Sequence, residues 1–175
     1  ITASAVGYYG AVTTDKIFSE KDLSANDFLG KTCSKWEAST NLSKEMNIRT
    51  VKIRTGVVIN KGDGALSKML LPIKMFVGSP LGSGKQYMPW IHIEDLSNIF
   101  IKAIEDSNMV GPYNAVAPEH FTNAEFTKML ANIMSKPLWL PNVPSFVLKI
   151  IFGEMANIIL KGSRVSAKKI ISEGY

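Results

Sequence analysis

"RTVKIRTGVVI", residues 49–59, alternates β-branched and polar residues and then turns continuously apolar. That change of pattern marks a strand entering a sheet covered on both faces. Just upstream, "NDFLGKTCSKWEAST" (26–40) puts Phe28, Leu29, Cys33 and Trp36 at helical spacing behind Asn26 or Asp27 as N-cap, a helix of three to four turns. The polar run "DKIFSEKDLSAND" (15–27) reads as a loop, and "ITASAVGYYG" (1–10) as an opening strand that ends in a turn.

The alternation continues downstream. "ALSKMLLPIKMF" (65–76) has helical spacing that Pro72 kinks or ends. A loop, "VGSPLGSGKQ", leads to a short strand in "QYMPWIHI" (86–93), and "EDLSNIFIKAIEDS" (94–107) follows as a helix with Leu96, Ile99, Phe100, Ala103 and Ile104 on one face and acids in its first turn. "VGPYNAVAP" (110–118) is a strand. "TNAEFTKMLANIM" (122–134) opens on a capping box, Thr122 to Glu125, and aligns Phe126, Met129, Leu130, Ile133 and Met134 as core. The tail from Lys136 begins with prolines and closes on one amphipathic helix and a shorter basic one. Strands alternating with helices define an α/β fold with parallel pairing.

Composition narrows the function. With 46% hydrophobic residues in 175, the chain can bury a core. Its longest apolar run, "SFVLKIIFGEMANIIL" (145–160), is broken by Lys149 and Glu154 and falls short of the ~20 residues of a membrane span, so a soluble protein is expected. Cys33 is the single cysteine, which excludes an internal disulfide and fits a reducing, cytoplasmic setting. With only His92 and His120 beside it, no metal set of N and S donors can be assembled. The net charge of +5 attracts anions, but the lysines are scattered and not interleaved with aromatics, which argues against a nucleic-acid platform.

Phosphate-cradling motifs fail on spacing. A Gly-x-Gly-x-x-Gly begun at Gly62 or Gly82 would need glycine at Ser67 or Tyr87. A Walker loop ending at Gly84-Lys85 would need glycine at Ser79 and a hydroxyl at Gln86. Lys85 remains a candidate anion contact on a loop. Ser4 is no nucleophile elbow, since Thr2 and Val6 flank it where glycines belong.

Laid end to end, "SAVGYYG", "KWEA", "RTGVVI", "GALSKMLLPIKM", "PLGSGKQYMPWIHIEDL", "YNAVAPEHFTNAEF" and the tail resemble the second half of the epimerase-like family of extended short-chain dehydrogenases, whose members are often labelled nucleoside-diphosphate-sugar epimerase. The resemblance covers essentially the whole chain. It implies the C-terminal half of a Rossmann-like, doubly wound parallel sheet (1–60), a substrate-side segment (61–135) and a helical cap (136–175), with a glycine-rich half upstream. It also implies NADP or NAD as cofactor, bound only with that upstream half, and hydride transfer to or from a small-molecule substrate such as a nucleotide sugar.

In that family a Ser/Thr polarises the substrate while a Tyr-x-x-x-Lys pair trades a proton as hydride moves. Val12, Thr13, Ile91 and Ala117 stand four residues after Tyr8, Tyr9, Tyr87 and Tyr113, so none of these forms the pair, and the matching helix carries Phe28 or Leu29 where tyrosine is expected. Ser4 is the candidate for the family serine, the competing role being a backbone bond at a strand end. Tyr8 or Tyr9 could supply the lost acid, or pack in the core. The resemblance puts Ala3 and Ser4 at the floor of the site and Arg54, Gly56, Val57 and Val58 beside the cofactor. Arg54, a charge inside an apolar strand, needs a partner, either a phosphate or ribose of the cofactor or a buried carboxylate. Trp90 and His92 would face the substrate with Lys85 nearby, Asp95 would cap the following helix, and Lys31 and Lys35 are surface charges that could reach a phosphate. The alternative function is a catalytically silent dinucleotide sensor or protein-interaction module. The apolar tail, 144–171, is a candidate surface for a partner or a second copy of the chain.

Overall fold

The computed structural model describes residues 1–40, 46–62 and 64–175. In chain order the elements are β1 (Thr2–Ala5), a 3-10 turn at Val6–Tyr9, β2 (Ile17–Phe18), α1 (Phe28–Ala38), β3 (Val51–Thr55), β4 (Val57–Ile59), α2 (Ala65–Lys74), β5 (Trp90–His92), α3 (Ile93–Glu105), β6 (Gly111–Ala115), α4 (Asn123–Ile133), α5 (Ser145–Phe152), α6 (Ala156–Leu160), β7 (Arg164–Val165) and α7 (Lys168–Ser172). Three parallel strands in the order β1-β3-β6 form the main sheet, and β4 with β5 and β2 with β7 form two further parallel pairs.

The stretch 49–59 is not one strand. It breaks at Gly56, where the hydrogen-bonding partner changes: Gly56 N still donates to Ala115 O of β6 at 3.1 Å, but Val57 N donates to Pro89 O at 2.7 Å and β4 runs beside β5. Glycine is required there by space. A Cβ would lie 2.6 Å from Pro89 O and 3.0 Å from Val116 Cγ1.

The caps hold, and three of the expected helix faces turn. Asp27 caps α1 by accepting from Gly30 N at 2.8 Å, and its other oxygen accepts from Ala11 N at 2.9 Å, pinning the loop after β1 to the helix. The buried side of α1 carries Leu29, Gly30, Cys33 and Glu37, whereas Phe28 is 81% and Trp36 58% exposed, so the expected apolar face is corrected by about one position. The capping box of Thr122 and Glu125 is present. In α3 and α4, Ile99, Ala103, Phe126 and Leu130 are buried as expected, but Ile104 and Ile133 face outward because packing covers a narrower stripe than the hydrophobic pattern offers. Helix α2 carries on through Pro72 to Lys74.

Two expectations change because of one contact. The 15–27 run contains β2 and the tail contains β7, and the two pair in parallel, Ile17 with Arg164 and Phe18 with Val165. Val165 and Ile170 then join the core built on Tyr9, Ile53, Ile91 and Tyr113. Residues 164–172 therefore pack with the main sheet, while α5 and α6 stay apart from it. A second core lies between α2 and α4, around Ile73, Phe126 and Leu130. Among the described residues no helix is long and apolar enough to cross a membrane.

Candidate substrate and cofactor cleft

Parallel register sets up the polar heart of the molecule. Ser4 pairs with Arg54 across β1-β3, and Arg54 with Asn114 across β3-β6, so three polar side chains stand in one row across the sheet. Glu37 reaches that row from α1 and Tyr9 from the 3-10 turn. Arg54 donates from Nε and Nη2 to the two oxygens of Glu37 at 2.8 and 2.9 Å, and from Nη1 to the Tyr9 hydroxyl at 2.9 Å. Tyr9 donates to Asn114 Oδ1 at 2.7 Å, and Ser4 Oγ donates to Glu37 Oε1 at 2.8 Å. The Tyr8 ring lies 3.4 Å from the guanidinium carbon, a cation–π contact. Asn114 is itself held by Ser166 O and Glu20.

This arrangement gives each group a definite electrostatic state. Burial alone would raise the Glu37 carboxyl, but the hydrogen bonds from Arg54 and Ser4 outweigh it and hold Glu37 below the usual carboxylate range. Burial pushes the Tyr9 phenol up to about 12 against the opposing pull of Arg54. Tyr9 is 1% exposed, so its hydroxyl stays protonated inside the core with no surface through which to meet a ligand. Of the two roles open to Arg54, the structure gives the buried ion pair: it is 2% exposed and every guanidinium nitrogen is bonded. Ser4 bonds neither ligand nor backbone but the carboxylate, an outcome neither reading of it contained.

Above this row, at the carboxyl ends of β1 and β3, opens a cleft of about 620 Å³. Ligand sites in open parallel sheets lie at such ends. Val6, Gly7, Gly10 and Ala11 from the segment after β1, and Val57 from the segment after β3, form one wall. Residues of α2, the 86–89 segment and the tail from Leu148 to Ser163 form the rest. Gly162 is needed where the tail crosses the 86–89 segment, since a Cβ there would strike the Tyr87 carbonyl.

The expected site residues distribute unevenly around this cleft. Val57 lines it, while Val58 packs on the main core and Gly56 meets Pro89 and Val116. Ala3 is exposed on the outer side of β1, away from the cleft. Lys85 is exposed on its loop, and Trp90 packs against Phe126 in the second core, its ring nitrogen without a partner among the described residues. His92, not Asp95, is the N-cap of α3, its Nδ1 accepting from Glu94 N at 3.3 Å. The segment is the right one, but the cleft takes Gln86, Tyr87, Met88 and Pro89 from it. Lys31 and Lys35 are exposed on α1.

The choice between Phe28 and Leu29 is decided by packing. Leu29 lines the cleft and touches the space over Gly7, with Cys33 one turn further along the same face. The tyrosine position of the family is therefore leucine, and the lysine position Cys33, whose thiol burial pushes up. Glu37 and Asn114 were missed from the sequence, although an acid one turn beyond Cys33 and an arginine in an apolar strand together pointed to an ion pair.

Residues 143–175 match a family described as "Domain of unknown function (DUF1731)". The crystal structure of human epimerase family protein SDR39U1 with NADPH superposes with a TM-score of 0.90 at 36% identity, over 99% of this chain and 58% of that one. The fold and cleft are those of the NAD(P)-binding epimerase-like class of extended short-chain dehydrogenases. Mouse epimerase family protein SDR39U1 is 41% identical over 177 residues, covering 100% of this chain and 59% of its own length. Bacillus subtilis epimerase family protein YfhF is 40% identical over 176 residues, with coverages of 100% and 57%. The chain belongs to this epimerase family and spans just under three fifths of these relatives.

Proposed function

We propose that the protein containing this chain is a nicotinamide-dinucleotide-dependent oxidoreductase of the epimerase type, and that this chain supplies the substrate side of its site. The observation that carries the reading is the cleft at the carboxyl ends of β1 and β3. Its wall there is made of Gly7, Gly10, Ala11 and Val57, small or apolar residues that leave room for a flat nicotinamide ring. When bound, the dinucleotide would accept or return a hydride at a substrate carbon, which is the chemistry that oxidation or epimerisation needs. NADPH in the human relative supports a dinucleotide of this class. The choice between NADP and NAD belongs to residues outside this chain.

The residues of the chain itself hold and orient. The ion-paired row beneath the cleft fixes β1, β3 and α1, and so fixes the 6–11 segment and Leu29. With leucine in the tyrosine position, the proton that accompanies hydride comes from solvent or from another side chain. That observation also favours the second reading, a dinucleotide sensor that binds without turnover. A nucleoside-diphosphate sugar, as in the names of some relatives, is the finer substrate reading. A cytoplasmic setting rests on the single cysteine.

The test is to supply the intact protein with NADPH, and separately with NADP, and a panel of carbonyls, alcohols and nucleotide sugars. Absorbance of the reduced nicotinamide is followed, together with isomer analysis of the sugars. Consumption or formation of the reduced band, or interconversion of epimers, supports the enzyme. Tight NADPH binding with neither across the panel sinks it in favour of the sensor.

A further inference from the structure

We infer that the cleft takes an uncharged, largely hydrocarbon molecule bearing a hydrogen-bond donor such as a hydroxyl, in place of a nucleoside diphosphate. The inference rests on the reading of the cleft as the substrate site and names the class of substrate.

The walls carry the argument. Leu29, Met69 and Ile73 face the cleft from α1 and α2, and Phe152, Met155 and Ile158 from the tail. The last three remain 43%, 66% and 51% exposed, an apolar surface that a ligand in the cleft would cover. A diphosphate set among such side chains would lose its hydration without charged partners to replace it. Phosphate sites are normally built from charge-assisted bonds, from arginine above all, yet the cationic side chains of the lining are Lys68 and Lys161, both exposed.

The polar groups of the lining are mostly occupied by the protein. Asn123 Oδ1 accepts from Leu81 N at 2.8 Å, Ser163 Oγ donates to Gly10 O at 2.7 Å, and Ser79 Oγ donates to Pro141 O at 2.5 Å. Gln86 differs. Its Nε2 donates to Leu81 O at 3.0 Å and Ile159 O at 3.2 Å, which fixes the orientation of the amide. Its Oε1 is then left as a buried acceptor without a partner, on a residue 3% exposed. A buried acceptor without a partner costs about 1–3 kcal/mol. Such an oxygen attracts an O–H or N–H and repels a phosphate or carboxylate.

The experiment compares three probes that share one hydrocarbon chain: farnesol, farnesyl methyl ether, which lacks the donor, and farnesyl diphosphate. UDP-glucose is the fourth ligand and NADPH a separate control, all titrated calorimetrically into the intact protein. Farnesol is expected to bind at least tenfold more tightly than the ether, the diphosphate and UDP-glucose. Met155→Lys, at an exposed position that folding does not depend on, is expected to weaken farnesol at least tenfold while leaving NADPH unchanged. Tighter binding of the diphosphate or of UDP-glucose, no binding of farnesol, or indifference to Met155→Lys would each overturn the inference. Loss of NADPH binding with farnesol binding intact would instead overturn the proposed cofactor function and leave the cleft's preference standing.

Discussion

Replacing Arg54 by methionine should unfold more of this protein than any surface change. The substitution keeps the approximate length of the side chain but removes two bonds to Glu37, one to Tyr9 and the cation under the Tyr8 ring. Glu37, 5% exposed, keeps only the Ser4 hydroxyl and becomes a buried carboxylate without its counter-ion. Breaking a buried pair from one side costs about 3–5 kcal/mol, a large part of the ~5–15 kcal/mol that holds a domain together. Urea unfolding followed by circular dichroism measures it. The double variant Arg54→Met with Glu37→Leu removes the stranded charge and should recover much of the loss.

The pH dependence separates a stranded charge from simple loss of packing. In the parent, Glu37 has a folded value held below the ordinary one, so its contribution is present above the ordinary carboxylate value and is lost as pH falls through the lowered one. In Arg54→Met burial is unopposed by the guanidinium, the folded value rises above the unfolded one, and protonation relieves the variant as pH falls. The stability gap should therefore be widest at neutral pH and narrow toward about pH 4. A loss below about 1 kcal/mol, or a gap constant across that range, would refute the reasoning.

Three further outcomes follow from single contacts. Tyr9→Phe leaves Asn114 Oδ1 and Arg54 Nη1 short of a partner inside the core, and a loss of about 1–3 kcal/mol in chemical denaturation is expected. Gly56→Ala forces Pro89 O and Val116 away from a new Cβ, so a loss of about 1–3 kcal/mol should accompany altered amide shifts in the 87–92 segment, and an unperturbed spectrum would count against the close crossing. Thr122→Ala removes both arms of the α4 capping box and should lower stability by about 1 kcal/mol, with faster hydrogen exchange confined to the first turn of that helix.

Local chemistry was legible wherever a residue acts on its immediate neighbours. Asp27 three residues before Gly30, and Thr122 three before Glu125, start their helices by bonds that close within one turn, and the β-branched run 49–59 could only be extended. The break at Gly56 was not legible, because what stops the strand is the carbonyl of Pro89, far along the chain. Leu29 and Phe28 are equally apolar and adjacent, and only the packing of α1 over Gly7 chooses between them. Glu37, Arg54, Tyr9 and Asn114 could each be seen as polar residues in apolar surroundings, yet their bonds cross separations of 17, 45 and 105 residues. Sequence alone determined that strands and helices alternate, where the helices begin, and that a charge in β3 must have a partner, since these follow from backbone propensity and the cost of burying a lone ion. Tertiary structure decided which partner that is, and which side chains line the cleft, because parallel register brings Ser4, Arg54 and Asn114 into one row and returns the tail to cover the carboxyl ends of the strands.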